Sequence, residues 1–171
     1  MRVINIVDED FVNYKKPSMF IGTCFCDFKC CIEAGIPKTA CQNAALASLC
    51  PTEISDEAIL KRYLANGITS AVVIGGMEPF LQFYEIVHLL HVFRANKIYD
   101  EFVVYTGYNE DEIQREIQEL TSFPPVIVKF GRYMPDDKSR FDEVLGVTLA
   151  SSNQYGKILC KRSEDDILHL L

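Results

Sequence analysis

The chain predicts an α/β fold with a mainly parallel sheet, and three observations carry that reading. Short β-branched or apolar runs recur at residues 17–23, 70–76, 100–106 and 124–129. Segments with apolar residues at helical spacing lie between the later runs. The runs at 70–76 and 100–106 meet glycines at their C-terminal ends. Strands alternating with helices need crossover connections, which makes neighbouring strands parallel.

The leader, residues 1–16, is extended and partly acidic. PSMFIGT at 17–23 reads as a short buried strand that delivers a cysteine-rich loop from its end. Residues 43–49 are small and apolar, suited to a turn or two of helix before Pro51. Ser55 reads as an N-cap followed by Asp56 and Glu57, where negative charge suits the helix dipole. Ile59, Leu60, Tyr63 and Leu64 share a face, and Asn66-Gly67 ends that helix. SAVVIGG at 70–76 reads as a strand buried on both faces. Pro79 starts a long helix on which Phe80, Tyr84, Val87, Leu90 and Phe93 form the apolar stripe. The strand at 100–106 ends at Gly107; Asn109 caps a helix carrying Ile113, Ile117 and Leu120; and 124–129 is a fourth strand. Residues 132–142 read as a loop, with short strands at 146–150 and 157–160.

At 171 residues, 49% hydrophobic and 24% charged, the chain is long enough for one core and reads as a single domain over 1–171. A net charge of -7 and no basic run longer than a pair argue against a nucleic-acid surface. No apolar run reaches the roughly 18 residues of a membrane span, and the N-terminus lacks a signal-peptide core. The expectation is a cytoplasmic protein with no membrane or nucleic-acid partner.

Five of the seven cysteines fall within eighteen positions: Cys24, Cys26, Cys30, Cys31 and Cys41, in a loop over residues 24–43. Thiolates this dense, in a reducing compartment and in odd total number, point to a soft metal rather than a disulfide framework. Zinc on Cys24, Cys26, Cys30 and either Cys31 or Cys41 is one reading; an iron-sulfur cluster is the other. Cys50 and Cys160 lie on apolar stretches and read as small buried hydrophobes. His88 and His91, three apart, lack a third ligand nearby and read as ordinary helix histidines.

Cys26-Asp-Phe-Lys-Cys30, Cys41-Gln-Asn43, Gly75-Gly-Met-Glu-Pro79, Tyr105-Thr-Gly-Tyr108 and Ser151-Ser-Asn-Gln154 together resemble, in order and spacing, the radical S-adenosylmethionine enzymes. The nearest likeness is to the small activating proteins of anaerobic ribonucleotide reductase. The resemblance implies an incomplete β/α barrel and a [4Fe-4S] cluster on Cys26, Cys30 and Cys41. It further implies reductive cleavage of S-adenosylmethionine to a 5'-deoxyadenosyl radical. Gly75, Gly76 and Glu78 would meet the cofactor's methionine end, Tyr105, Thr106 and Gly107 the neighbouring strand end, and Asn153 the cofactor or substrate. The implied partners are a large glycyl-radical enzyme as protein substrate and an electron donor such as flavodoxin or ferredoxin.

The chain departs from that pattern twice. The family spacing C-x3-C-x2-C puts the third cysteine where Glu33 stands, so Cys41 takes the third place after a loop grown inside the motif, with Cys31 and Cys24 as alternatives. Gln42 stands where the family has an aromatic, and Met77 is an extra residue inside Gly-Gly-Glu-Pro. Two other readings stay open: a radical enzyme acting on a small molecule or peptide, and a non-catalytic zinc or iron-sulfur module.

Overall fold

The computed structural model describes residues 1–159. Its strands are β1 (Arg2–Val3), β2 (Asn5–Asp10), β3 (Ser18–Thr23), β4 (Thr52–Glu53), β5 (Ala71–Gly76), β6 (Glu101–Tyr105), β7 (Val126–Phe130), β8 (Arg140–Asp142), β9 (Val147–Leu149) and β10 (Tyr155–Leu159). Its α-helices are α1 (Lys29–Ala34), α2 (Asp56–Leu64), α3 (Phe83–Ala95) and α4 (Gln114–Leu120).

Six strands form the central sheet in the order β10-β7-β6-β5-β3-β2. The four inner strands β3, β5, β6 and β7 are parallel, and both edges are antiparallel. The fold is therefore mixed α/β with a mainly parallel sheet, as the alternation predicted. Among the described residues β2 and β10 do not pair with each other, so the sheet is open rather than a closed barrel.

Strand periodicity divides the core in two. Val72 and Ile74 of β5, Phe102 and Val104 of β6, and Val126 and Val128 of β7 face a layer made by α2, α3 and α4. The alternate residues Ala71, Val73, Val103 and Ile127 face Tyr14, Leu145 and Leu149 on the opposite side. One face thus carries helices, and the other is closed by the 11–17 turn and the β8–β9 hairpin.

Local signals explain most of the elements. The Ser55 side chain accepts the Ala58 N–H at 3.2 Å, and the Asn109–Glu112 capping box starts the 3-10 turn before α4. The α3 stripe requires a correction. Tyr84 is 73% exposed, and the buried positions of α3 are Phe83, Ile86, Leu89, Leu90 and Phe93. Residues Pro79–Gln82 form a 3-10 turn, whose three-residue period rotates the following α-helix relative to one started at Pro79. The leader is extended as read, and its β2 pairs with β3 as a sheet edge.

Candidate metal centre

β3 ends at Thr23, whose hydroxyl donates to Gly75 O at 2.8 Å and ties the loop's origin to the end of β5. The chain then passes Phe28 in left-handed backbone (φ 57) into α1, which carries Cys30 and Cys31. Gly35 (φ 66) ends α1, and two short 3-10 turns, Lys38–Ala40 and Ala44–Ser48, flank Cys41. The Asn43 side-chain amide donates to Gly76 O and brings this second half of the loop back over β5.

Cys26, Cys30, Cys31 and Cys41 all line one cavity of about 440 Å³ at the C-terminal ends of the parallel strands. The same cavity is lined by Gly75, Gly76, Glu78, Tyr105, Thr106 and Gly107. The crevice beyond the carboxyl ends of strands is where open α/β sheets bind ligands. Cys24 stands apart, its Sγ 3.2 Å from Gln82 Oε1 and 3.9 Å from Arg2 O. Cys50 is exposed rather than buried, because its stretch runs over the surface ahead of the short edge strand β4. Cys160 lies outside the described residues.

Burial pushes the Cys26 thiol up to about 11 and raises Cys30 and Cys31 as well. Backbone donors oppose this. Phe28 N–H donates to Cys26 Sγ at 3.2 Å, and the Tyr133 N–H lowers Cys30. Such donors suit sulfurs that bind metal as thiolates. Gly107 leaves room for the Cys30 sulfur, since a Cβ built there would lie 2.7 Å from it. Among the described residues no three His, Cys, Asp or Glu side chains stand close enough to hold one metal ion. Four cysteines border the cavity, a donor set of the kind that iron-sulfur clusters use.

The inserted Met77 is absorbed at the end of β5. Gly76 takes φ +85, Met77 turns into the cavity wall, and Glu78 N–H donates to Phe25 O at 2.7 Å. The Glu78 carboxylate is buried and accepts three donors: Thr106 Oγ1 at 2.7 Å, Gly107 N–H at 2.9 Å and Phe80 N–H at 3.1 Å. Burial raises its pKa against these hydrogen bonds. Glu78 therefore locks the ends of β5 and β6 together beneath the cysteines. Tyr105 lines the cavity, but its hydroxyl donates to Asn13 O. Tyr108 donates to Asp27 Oδ2 at 2.7 Å, steadying the start of the loop.

One residue at the site was not singled out from the sequence. Lys129, on β7, is 7% exposed and lines the cavity; its Nζ donates to Gly131 O at 3.0 Å and lies 3.5 Å from Thr106 O. Burial lowers it to about 8. A lysine inside the β-branched run VIVKF was the available signal. Of the Ser-Ser-Asn-Gln segment, Gln154 lines the cavity, whereas Asn153 directs its amide to Arg132 O at 3.0 Å. His88 pairs with Asp56 and His91 packs edge-on against Phe123, so neither helix histidine approaches this centre.

A cysteine-lined cavity at the strand ends of an open, mainly parallel sheet is a site of the kind that iron-sulfur proteins use. Residues 16–155 match the family model described as a 4Fe-4S single cluster domain, and the chain belongs to that family. No curated protein and no solved structure matches it.

Proposed function

We propose that this protein is a radical S-adenosylmethionine enzyme of the glycyl-radical activating type, with a half-barrel sheet and its cluster on Cys26, Cys30 and Cys41. The carrying observation is that these thiols share one cavity with Gly75–Gly76, Glu78 and Thr106–Gly107, within a chain of a 4Fe-4S family. When bound, a [4Fe-4S] cluster with one open iron supplies the electron and the coordination for cleaving S-adenosylmethionine into methionine and a 5'-deoxyadenosyl radical.

The chain's own residues bind and orient. Gly75 and Gly76 present backbone at close range, Gly76 in a conformation that favours glycine. Glu78 holds the two strand ends at a fixed separation through its three donors. Lys129 supplies a positive charge facing the cavity wall from β7, suited to an anionic group of the cofactor. Cys31, buried on α1, is assigned a packing role beside Cys41 rather than a ligand role.

A protein substrate fits this reading better than a free small molecule. The second half of the loop is largely exposed, and Phe11 and Val12 stand 62% and 75% exposed, with Val12 also at the cavity wall. A radical site needs water excluded, and a docking protein accomplishes that where the chain itself does not. The assigned activity is hydrogen abstraction from a backbone glycine of that partner.

The test is to reduce the anaerobically reconstituted protein with S-adenosylmethionine present and quantify 5'-deoxyadenosine. The expected result is its formation in wild type and its loss in Cys26→Ala. No 5'-deoxyadenosine from a cluster-loaded sample would overturn the enzymatic reading and leave an iron-sulfur binding module.

A further inference from the structure

Glu33 occupies the position at which the family spacing puts a third cysteine, and the structure gives it another task. α1 is only six residues long, its N-cap Phe28 makes no side-chain cap, and it has no acidic residue in its first turn or basic residue in its last. Isolated helices this short do not persist in water. Something outside α1 must hold it.

That support is a ring of four alternating charges, Lys29–Glu112–Arg132–Glu33, made by three ion pairs and closed through the α1 backbone between Glu33 and Lys29. Lys29 and Glu33, at i and i+4, share one face of α1. Lys29 pairs with Glu112, while Glu33 Oε2 lies 2.6 Å from Arg132 Nε, close in distance though not aligned as a hydrogen bond. Arg132 links these two pairs, its two terminal nitrogens donating to the two Glu112 oxygens at 2.5 and 2.6 Å. Arg132 is 7% exposed, and its backbone is pinned on both sides: Gly131 N–H donates to Tyr108 O at 3.1 Å, and Arg132 O accepts the Asn153 amide at 3.0 Å. The hub therefore sits on the sheet, and the helix carrying Cys30 is tied to it.

We propose that Arg132 is a positioning residue which, through Glu33 and Glu112, fixes α1 and so sets Cys30 for cluster binding. The vacated ligand position has become a strut, and the third thiolate comes from the more exposed half of the loop. The inference rests on the cluster reading above.

The experiment compares wild type, Arg132→Gln, Glu33→Gln and the exchange Lys29→Glu/Glu33→Lys. Arg62→Gln, which breaks the Arg62–Asp8 pair elsewhere, is the control. Hydrogen exchange of residues 26–36 is read in the metal-free protein, and iron content with the EPR spectrum of the reduced cluster in the reconstituted one. Because the Glu33 side chain is 50% exposed, its loss is expected to speed exchange about threefold to fivefold. Losing the buried hub should speed it about tenfold or more. The charge-exchanged variant keeps net charge and opposite charges at i and i+4 but sets a carboxylate against Glu112 and an ammonium against Arg132, so it should match or exceed Arg132→Gln. Each ring variant should hold less iron with an altered EPR line shape, while Arg62→Gln behaves as wild type. Glu33→Cys in a Cys41→Ala background should not restore the cluster, since position 33 faces Arg132 rather than the cavity. Wild type with iron, but ring variants unchanged in exchange and EPR, or rescue by Glu33→Cys, overturns the strut alone. Wild type without iron overturns the cluster reading and this role with it.

Discussion

Burial holds the Lys129 ammonium at about 8, against its ordinary 10.5, although its hydrogen bonds go to carbonyl oxygens and the Cys30 and Glu78 charges favour protonation. A depressed lysine means that the unfolded chain binds the extra proton between those two values. Stability therefore rises with pH from about 8 towards 10.5 and is lost as pH falls through about 8. The contribution is at most about 1.4 kcal/mol per pH unit. Urea unfolding of metal-free wild type and Lys129→Met at several pH values checks it. Wild type should gain on the variant across that window and run parallel below it; parallel curves throughout would contradict the account. The sequence reading picked out Cys26, Cys30, Gly75, Gly76, Glu78, Thr106 and Gly107, and these residues meet at one cavity because each lies at the end of a strand or in the loop leaving one. Lys129 escaped it because a lysine in an apolar run has no periodic or motif signature; only the strand's neighbours reveal which wall it faces.

At the scale of elements, the cysteine loop has two unequal halves. The first is α1 with its charge ring; the second, around Cys41, is held to the sheet through Asn43 and Gly76 O. The assignment of Cys41 as third ligand gives an ordered expectation for iron content after reconstitution. Cys26→Ala and Cys30→Ala should abolish a four-iron cluster, Cys41→Ala should lose it or leave a cluster short of iron, and Cys24→Ala should be unaffected. Cys31→Ala should keep its iron while losing some stability from the buried thiol. Loss in Cys31→Ala with retention in Cys41→Ala would reassign the ligand. Strands buried on both faces, such as β5 and β7, were legible as β-branched runs, and the caps at Ser55 and Asn109 as polar residues ahead of an apolar period. β2 was not, since its sequence NIVDED is acidic and edge strands carry charge instead of apolar alternation. The α3 face was misread because a 3-10 turn at Pro79–Gln82 shifts the phase, and periodicity alone does not show where three residues per turn become 3.6.

Across the whole molecule, helices cover one face of the sheet, and the 11–17 turn with the β8–β9 hairpin covers the other, leaving the strand ends for the cavity. The inner strands β3, β5, β6 and β7 are parallel, which alternating strands and helices were enough to predict, whereas alternation does not fix their order. The two antiparallel edges were not predictable in that way, because pairing at an edge depends on which segment returns to it. The proposed function needs an open-site cluster and S-adenosylmethionine to meet in this one cavity, and the most direct test is the EPR spectrum of the reduced, anaerobically reconstituted protein titrated with S-adenosylmethionine. A saturable change in the cluster signal, lost in Cys26→Ala together with the cluster, is the predicted result. A [4Fe-4S] signal that stays the same at every concentration of S-adenosylmethionine would contradict it.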